Sequence, residues 1–195
     1  TLQTSATAIL ESKLSELNAQ SGQVIVMEVQ SGQIKALVGL ERKDSADYQP
    51  CENFSVQQPT GLMQGVSLLA ALETGKVKMS DRVNAGNGVS ILQPYRITER
   101  NITWDCIGYG QSVSPIQVLT FYNAIANNGK MVQPQLYKDS VVVINPQIAD
   151  KANIDSLKLA LAYNVTDGLG QPAKSDKTTV AGKQGTIIAV SYTHL

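Results

Sequence analysis

The chain has 195 residues, and its 16 Lys+Arg balance its 16 Asp+Glu, so the formal net charge is zero. A hydrophobic fraction of 43% and a charged fraction of 16% exclude a disordered or coiled-coil protein. The balanced charge argues against a nucleic-acid or acidic-membrane binder, because phosphate binding needs an excess of Lys and Arg. The length fits one domain with a substantial core, or a domain with a small additional lobe.

Cysteine and histidine usage leaves little room for metal or triad chemistry. Cys51 and Cys106 lack CxxC spacing; two unpaired thiols are the simpler interpretation, and a disulfide outside the cytosol is the alternative. His194 is the only histidine and lies one residue from the end, so we expect no histidine-based triad, no metal and no cofactor. No apolar run reaches the roughly 18 residues of a membrane span. Because residue 1 is Thr rather than Met, an upstream anchor is left open.

The first part of the chain predicts a helix followed by a hairpin. Apolar residues spaced by three and four form one helical stripe, made of Leu2, Ala6, Ile9, Leu10, Leu14 and Leu17. Residues 23–29 and 34–40 are rich in Val and Ile, which predicts two strands. Gly32, between them, can adopt the positive φ of a tight turn.

The remainder of the chain alternates helical and extended patterns, so we expect an α/β fold of the α+β type. Helices are predicted over residues 60–74, about 114–128 and about 152–165, with Ser114 as the cap of the second. Residues 131–144 are extended and interrupted by Pro134, and residues 178–188 are a strand candidate.

Four stretches, in order, resemble the motifs of one enzyme family. Residues 26–36 are similar to an opening hairpin written VMDVKTGEILA, and residues 58–64 to EPGSTFK at the start of a helix. Residues 108–117 are similar to GYG-xxVTPLQ, residues 124–129 to AIANGG, and residues 180–186 to VAGKTGT. Together they resemble the transpeptidase domain of class B penicillin-binding proteins. The motif sequences are most similar to those of cell-division enzymes of the Bacteroidetes type.

The resemblance implies a fold, a reaction and a location. The fold would be an incomplete penicillin-binding-protein transpeptidase or serine beta-lactamase-like fold, with a small antiparallel sheet packed with helices. The reaction would be acyl transfer at the D-Ala-D-Ala end of peptidoglycan stem peptides, through a serine that penicillin also acylates. The location would be extracytoplasmic, at the periplasmic face of the inner membrane. Partners would be the stem peptide or cell-wall and divisome proteins, with no nucleic acid.

The catalytic positions depart from the family pattern. The family places Lys one helical turn after the nucleophilic Ser in SxxK, so that the base and the nucleophile share a helix face. Here the serine position is Gly61 and the lysine position is Gln64. No Lys in the chain has a Ser three residues before it, and no Asn has a Ser or Thr two residues before it. SxxK and SxN are therefore both absent, which predicts a catalytically inactive domain.

The third motif is better preserved. Gln184 replaces the middle Thr of KTG, while Lys183, Gly185 and Thr186 match it, so the resemblance implies that these four residues bind substrate. The family continues with two more strands and a closing helix, so we expect residues 1–190 to be a truncated transpeptidase-like domain. Residues 191–195 are expected to be an unrelated or disordered tail. The KTG-like strand would either pair with the hairpin in a three-stranded sheet or form an open edge.

Three functions stay open from the sequence. The first is an inactive transpeptidase-like domain in peptidoglycan synthesis and cell division. The second is an active D,D-transpeptidase or carboxypeptidase that uses a non-standard serine, for which Ser55, Ser67 and Ser112 are the candidates. The third is a peptide- or glycan-binding module that retains the groove around Lys183.

Overall fold

The computed structural model describes most of the chain, in two compact units that we treat separately. The described residues are 1–43, 47–51, 54, 59–81, 106, 108 and 110–186. Unit 1 takes its described residues from 1–57 and 112–148, and unit 2 takes them from 58–111 and 149–195.

Unit 1 begins with helix α1 (Leu2–Glu16), which is followed by an antiparallel sheet. The Thr1 hydroxyl caps the helix by accepting a hydrogen bond from the Thr4 amide. Strands β1 (Ser21–Met27) and β2 (Ile34–Glu41) form the predicted hairpin, and Gly32 adopts φ 73° in its turn. A short third strand, β3 (Gln49–Pro50), pairs with β2.

The core of unit 1 lies between α1 and the hairpin. Leu10 and Leu14 of the helix cluster with Val38 and Leu40 of β2. The predicted apolar stripe was wider than the face that is buried, because Leu2, Ile9 and Leu17 are 52%, 69% and 64% exposed. The sheet covers α1 along one side only, so apolar residues beside that contact face solvent.

A second helix, which is the third along the chain, and a small second sheet complete unit 1. Helix α3 (Pro115–Ala126) starts at a reciprocal capping box, in which the Ser114 hydroxyl accepts from the Gln117 amide and the Gln117 side chain accepts from the Ser114 amide. The predicted helix start at Ser114 is thereby confirmed. Helix α3 contacts β1 and β4. Strands β4 (Met131–Val132) and β5 (Val143–Asn145) pair antiparallel.

Unit 2 is built on two helices. Helix α2 (Met63–Glu73) follows a single 3₁₀ turn, Thr60–Leu62, and contacts helix α4 (Lys151–Thr166). The Glu73 carboxylate accepts hydrogen bonds from the Asp150 amide at 3.0 Å and from the Asn153 side chain at 2.6 Å. This carboxylate therefore serves the start of α4, where Asp150 makes no side-chain cap of its own. Buried side chains on the two helices are Leu69, Leu72, Ile154, Leu157, Leu161 and Val165.

The 3₁₀ turn before α2 is approached closely by the backbone of Gly108. A Cβ atom built on Gly108 would lie 2.6 Å from the Thr60 nitrogen and 2.7 Å from the Thr60 oxygen. Gly108 also adopts φ 86°, in the left-handed region. Only glycine satisfies both conditions, so the GYG-like motif has a structural role in unit 2.

One predicted element is wrong. The strand expected over residues 178–188 is not formed in its described part, residues 178–186. The backbone of Gly182 instead pairs with α4, because its amide donates to the Leu161 carbonyl and its carbonyl accepts from the Asn164 side chain. Of the two alternatives left open for this segment, pairing with the hairpin is not formed in the described part, and the third strand of that sheet is Gln49–Pro50.

The architecture is α+β, with four described helices and small antiparallel sheets, which confirms the predicted fold class. Within the described residues, no helix is long and apolar enough to cross a bilayer. Cys51 and Cys106 are both thiols in this structure, as the simpler interpretation had it. The predicted tail, residues 191–195, lies outside the described residues.

We predict that Leu14→Ala lowers the free energy of unfolding by about 2–5 kcal/mol, because it leaves a cavity in a core that is 95% shielded at this position. Ile9→Ala, on the same helix but 69% exposed, is the matched control and should change stability by less than about 0.5 kcal/mol. Urea denaturation of both variants measures this, and equal losses would contradict the assigned core.

We also predict that Gly108→Ala destabilises the protein by at least about 2 kcal/mol, because a left-handed φ and a backbone clash add together. Gly75→Ala is the control: Gly75 adopts φ 67° but has open space around its Cβ position. It should cost only the conformational term, about 1 kcal/mol. Thermal denaturation compares the two variants, and similar melting temperatures would argue against the close approach of Gly108 to Thr60.

Candidate functional site

The positions that match the nucleophile and its base lie at the start of α2. Gly61 is the middle residue of the 3₁₀ turn and is half-buried. Gln64 is exposed in the first turn of the helix. A glycine offers no nucleophile, and the neutral amide of Gln64 cannot accept a proton near neutral pH. The local backbone of a nucleophile-bearing helix start is therefore formed without either reactive group.

The KTG-like segment lies directly against Gly61. A Cβ atom built on Gly61 would be 3.2 Å from the Gln184 carbonyl oxygen, 3.3 Å from the Gly185 Cα and 3.5 Å from the Lys183 Nζ. The fold of unit 2 thus brings together the two sequence motifs that were expected to form one site. The first two distances are tighter than ordinary van der Waals contact, so a serine here would need a small backbone adjustment.

Gly185 is fitted to the same turn from the other side. Its built Cβ would lie 3.0 Å from the Thr60 hydroxyl oxygen and 3.2 Å from the Leu62 Cγ. Thr60 is 4% exposed and adopts φ 46°, an unusual value for a β-branched residue. The EPGSTFK pattern has glycine at this position, so this chain accepts backbone strain where the pattern avoids it.

Lys183 provides the positive charge of the site. Its side chain is half-buried, and its ammonium group donates to the carbonyl oxygen of Gln184 at 2.5 Å. Burial lowers the pKa of the Lys183 amine below its ordinary value of 10.5. A partly desolvated ammonium group interacts more strongly with an anion than a fully hydrated one does, so this group can bind a carboxylate beside Gly61.

The other two predicted binding residues are placed differently from each other. The Gln184 side-chain oxygen accepts a hydrogen bond from the Asn164 amide at 2.9 Å. Thr186 is exposed at the end of the described segment. Asn164 itself was not a candidate from the sequence, because an Asn near the end of a helix carries no signal of a partner that follows it so much later in the chain.

Of the three candidate alternative serines, Ser67 has a hydrogen-bond partner for its hydroxyl group in the structure. The Ser67 hydroxyl donates a hydrogen bond to the carbonyl oxygen of Cys106 at 2.7 Å. Its hydrogen-bond acceptor is therefore an amide carbonyl and not a base. Ser112 is exposed. Ser55 lies outside the described residues. Within those residues, no three His, Cys, Asp or Glu side chains are grouped to hold a metal ion.

Residues 98–192, just under half of the chain, match the family model of the penicillin binding protein transpeptidase domain. The match contains the GYG-like and KTG-like motifs, whereas the hairpin and the turn at Gly61 precede it.

Solved structures resemble the chain over nearly its whole length. The transpeptidase domain of penicillin-binding protein 3 from Burkholderia pseudomallei aligns with a TM-score of 0.75 and 18% identity, covering 98% of this chain and 78% of that one. A peptidoglycan glycosyltransferase from Burkholderia ambifaria aligns with 0.74 and 19%, covering 94% and 78%. The transpeptidase domain of the D,D-transpeptidase FtsI4 from Legionella pneumophila aligns with 0.72 and 17%, covering 97% and 75%.

The sequence match and the structural matches agree with the site geometry, in which a helix start and a KTG-like segment lie side by side. At identities below 20%, the structural matches establish the fold rather than the reaction. The chain has the fold of a penicillin-binding-protein transpeptidase domain, and its residues 98–192 match that domain family in sequence.

Proposed function

We propose that this chain is a catalytically inactive transpeptidase-like domain that acts in peptidoglycan synthesis and cell division. The observation that carries the proposal is the composition of the site: Gly61 faces Lys183 without a hydroxyl group, and Gln64 is exposed without a basic amine. An acyl-enzyme needs an activated nucleophile, and its loss removes the covalent route whatever else of the site is kept.

The setting of this domain follows from the resemblance. The chain is similar to cell-division transpeptidases, of the Bacteroidetes type by its motifs, so we propose an extracytoplasmic location at the periplasmic face of the inner membrane. Its partners would be the peptidoglycan stem peptide or proteins of the cell wall and divisome. The active-enzyme alternative is less well supported, because the hydroxyl of Ser67 donates to a carbonyl instead of to a base.

A second function, binding without turnover, is favoured by the state of Lys183. Its ammonium group is partly desolvated and lies 3.5 Å from the Cβ position of Gly61. A peptide that ends in a carboxylate would gain a charge-assisted hydrogen bond there. The ligand we propose is the D-Ala-D-Ala end of a stem peptide, held by Lys183 and released unchanged.

We predict that the purified chain is not labelled by a fluorescent penicillin, because no hydroxyl group stands at residue 61 to open the β-lactam ring. Denaturing gel electrophoresis followed by fluorescence imaging measures covalent labelling. An active class B penicillin-binding protein in a parallel lane controls for the probe.

Labelling of the chain that persists after denaturation would contradict the inactive assignment. In that case, Ser67→Ala and Ser112→Ala separate the two described alternative serines, and Ser55→Ala covers the third. Loss of label in one of these variants would identify the nucleophile of an active enzyme.

We predict that a D-Ala-D-Ala peptide binds the chain saturably and that Lys183→Ala weakens the affinity by about 10- to 100-fold, because a hydrogen bond to a charged group contributes about 1.5–3 kcal/mol. Binding requires the ammonium form. The affinity should therefore fall as the pH rises through the pKa of Lys183, which begins at a lower pH than for an ordinary lysine. Isothermal titration calorimetry across pH measures both effects.

Lys177→Ala is the matched control, since Lys177 is an exposed lysine of the same unit. It should leave the affinity and its pH dependence unchanged. An amidated peptide that lacks the terminal carboxylate should bind as weakly as the parent peptide binds Lys183→Ala. Equal affinity of the wild-type chain for both peptides would refute the carboxylate site.

A further inference from the structure

The Asn164 side chain, near the end of α4, forms hydrogen bonds with the residues on either side of Lys183. Its amide nitrogen donates to the Gly182 carbonyl oxygen at 2.8 Å and to the Gln184 side-chain oxygen at 2.9 Å. Both of its N–H groups therefore have partners in the KTG-like segment. The Gly182 amide adds a third link to α4 through the Leu161 carbonyl at 3.1 Å.

The turn that follows α4 contains Gly168 and Gly170, and both glycines lie close to Asn164. A Cβ atom built on Gly168 would lie 2.8 Å from the Asn164 carbonyl oxygen, and one built on Gly170 would lie 2.8 Å from the Asn164 side-chain nitrogen. The Gly170 amide donates to that same carbonyl at 2.9 Å. The turn after α4 therefore packs closely against the backbone and the side chain of this asparagine.

The adjacent side chains of Lys183 and Gln184 in the KTG-like segment contact different neighbours. Gln184 reaches Asn164, whereas the Lys183 ammonium group reaches the space beside Gly61. With residues 182 and 184 both tied to α4, the backbone that carries the lysine is anchored on both sides, and the Lys183 ammonium group donates to the Gln184 carbonyl oxygen at 2.5 Å. The middle residue of the motif is consequently an anchor to the helix.

We propose that Asn164 is a positioning residue that sets the location of Lys183. In this proposal, the Gln184 side chain links the KTG-like segment to Asn164 and does not contact the ligand. The consequence for ligand binding rests on the second function proposed above. The positioning itself does not depend on any ligand and can be measured in the unliganded protein.

The test uses the full chain with its lysines ¹³C-dimethylated, so that each amine gives an NMR signal, and Lys183→Ala identifies the signal of interest. Asn164→Ala should move the Lys183 signal and bring its pKa closer to the ordinary value, because the amine becomes more exposed to solvent. The affinity for a D-Ala-D-Ala peptide should fall by about 3- to 10-fold, which corresponds to the loss of about one hydrogen bond.

Asn153→Ala is the matched control. Asn153 lies on the same helix, and its side chain donates to Glu73 at 2.6 Å. Its loss should lower the melting temperature but leave the signal and the pKa of Lys183 unchanged. Asn164→Asp, which keeps the shape but places an acceptor against two oxygen acceptors, should act like Asn164→Ala. If either Asn164 variant fails to fold, Gln184→Leu removes only the side-chain link and should move the Lys183 signal in the same direction.

The outcomes separate this inference from the proposed binding function. Folded variants at Asn164 and Gln184 with an unchanged Lys183 signal and pKa would overturn the positioning role. A wild-type chain that binds no peptide would refute the binding function, while a shifted Lys183 signal in Asn164→Ala would still support the positioning role. If Asn164→Ala changes neither the affinity for the peptide nor the Lys183 signal, the proposed binding function would stand and the positioning role of Asn164 would be refuted.

Discussion

The close approach of three backbone segments within unit 2 is the constraint on which the candidate site depends. The turn Thr60–Leu62 is contacted by Gly108 on one side and by Gly185 on another, at distances that leave no room for a Cβ atom without rearrangement. Contacts this close restrict the relative positions of the segments, because atoms in a packed interior cannot overlap. The location of Lys183 beside Gly61 is a consequence of that packing.

The same packing explains how a transpeptidase fold is formed although the SxxK side chains are absent. The contacts around the turn are made by backbone atoms and by glycines, whereas the reaction of the related enzymes depends on a few side-chain atoms. Replacing Ser and Lys by Gly61 and Gln64 removes those atoms and leaves the backbone contacts in place. The fold and the SxxK motif are separable here, because the close packing involves backbone atoms whereas the motif is defined by side-chain atoms.

Thr60 shows that the turn is constrained by more than its glycines. Its φ of 46° is unfavourable for a β-branched residue by about 1–3 kcal/mol. The cost is accepted because the surrounding contacts, with Gly108 against its backbone and Gly185 against its hydroxyl, determine the conformation. The ammonium group of Lys183 lies against this turn, 3.5 Å from the Cβ position of Gly61.

Much of the local structure could be predicted from the sequence. Ser114 as a helix cap predicts the start of α3, Gly32 predicts the hairpin turn, and the absence of SxxK is a property of the sequence alone. These features depend on residues within a few positions of each other, whose preferences are set by steric and hydrogen-bonding rules. The motif order also indicated the fold, which the comparisons support.

What the sequence could not decide was set by contacts between distant residues. The β-rich composition of residues 178–188 predicts a strand, yet the amide and the carbonyl of Gly182 within it are bound by Leu161 and Asn164 of a helix. Likewise, the periodicity of α1 predicts its helix but not that Ile9 is exposed while Leu14 is buried. The sequence by itself determined the helices, the hairpin and the missing catalytic groups. Only the tertiary structure placed Lys183 beside Gly61, because long-range packing, and no local preference, brings residues so far apart in the chain together.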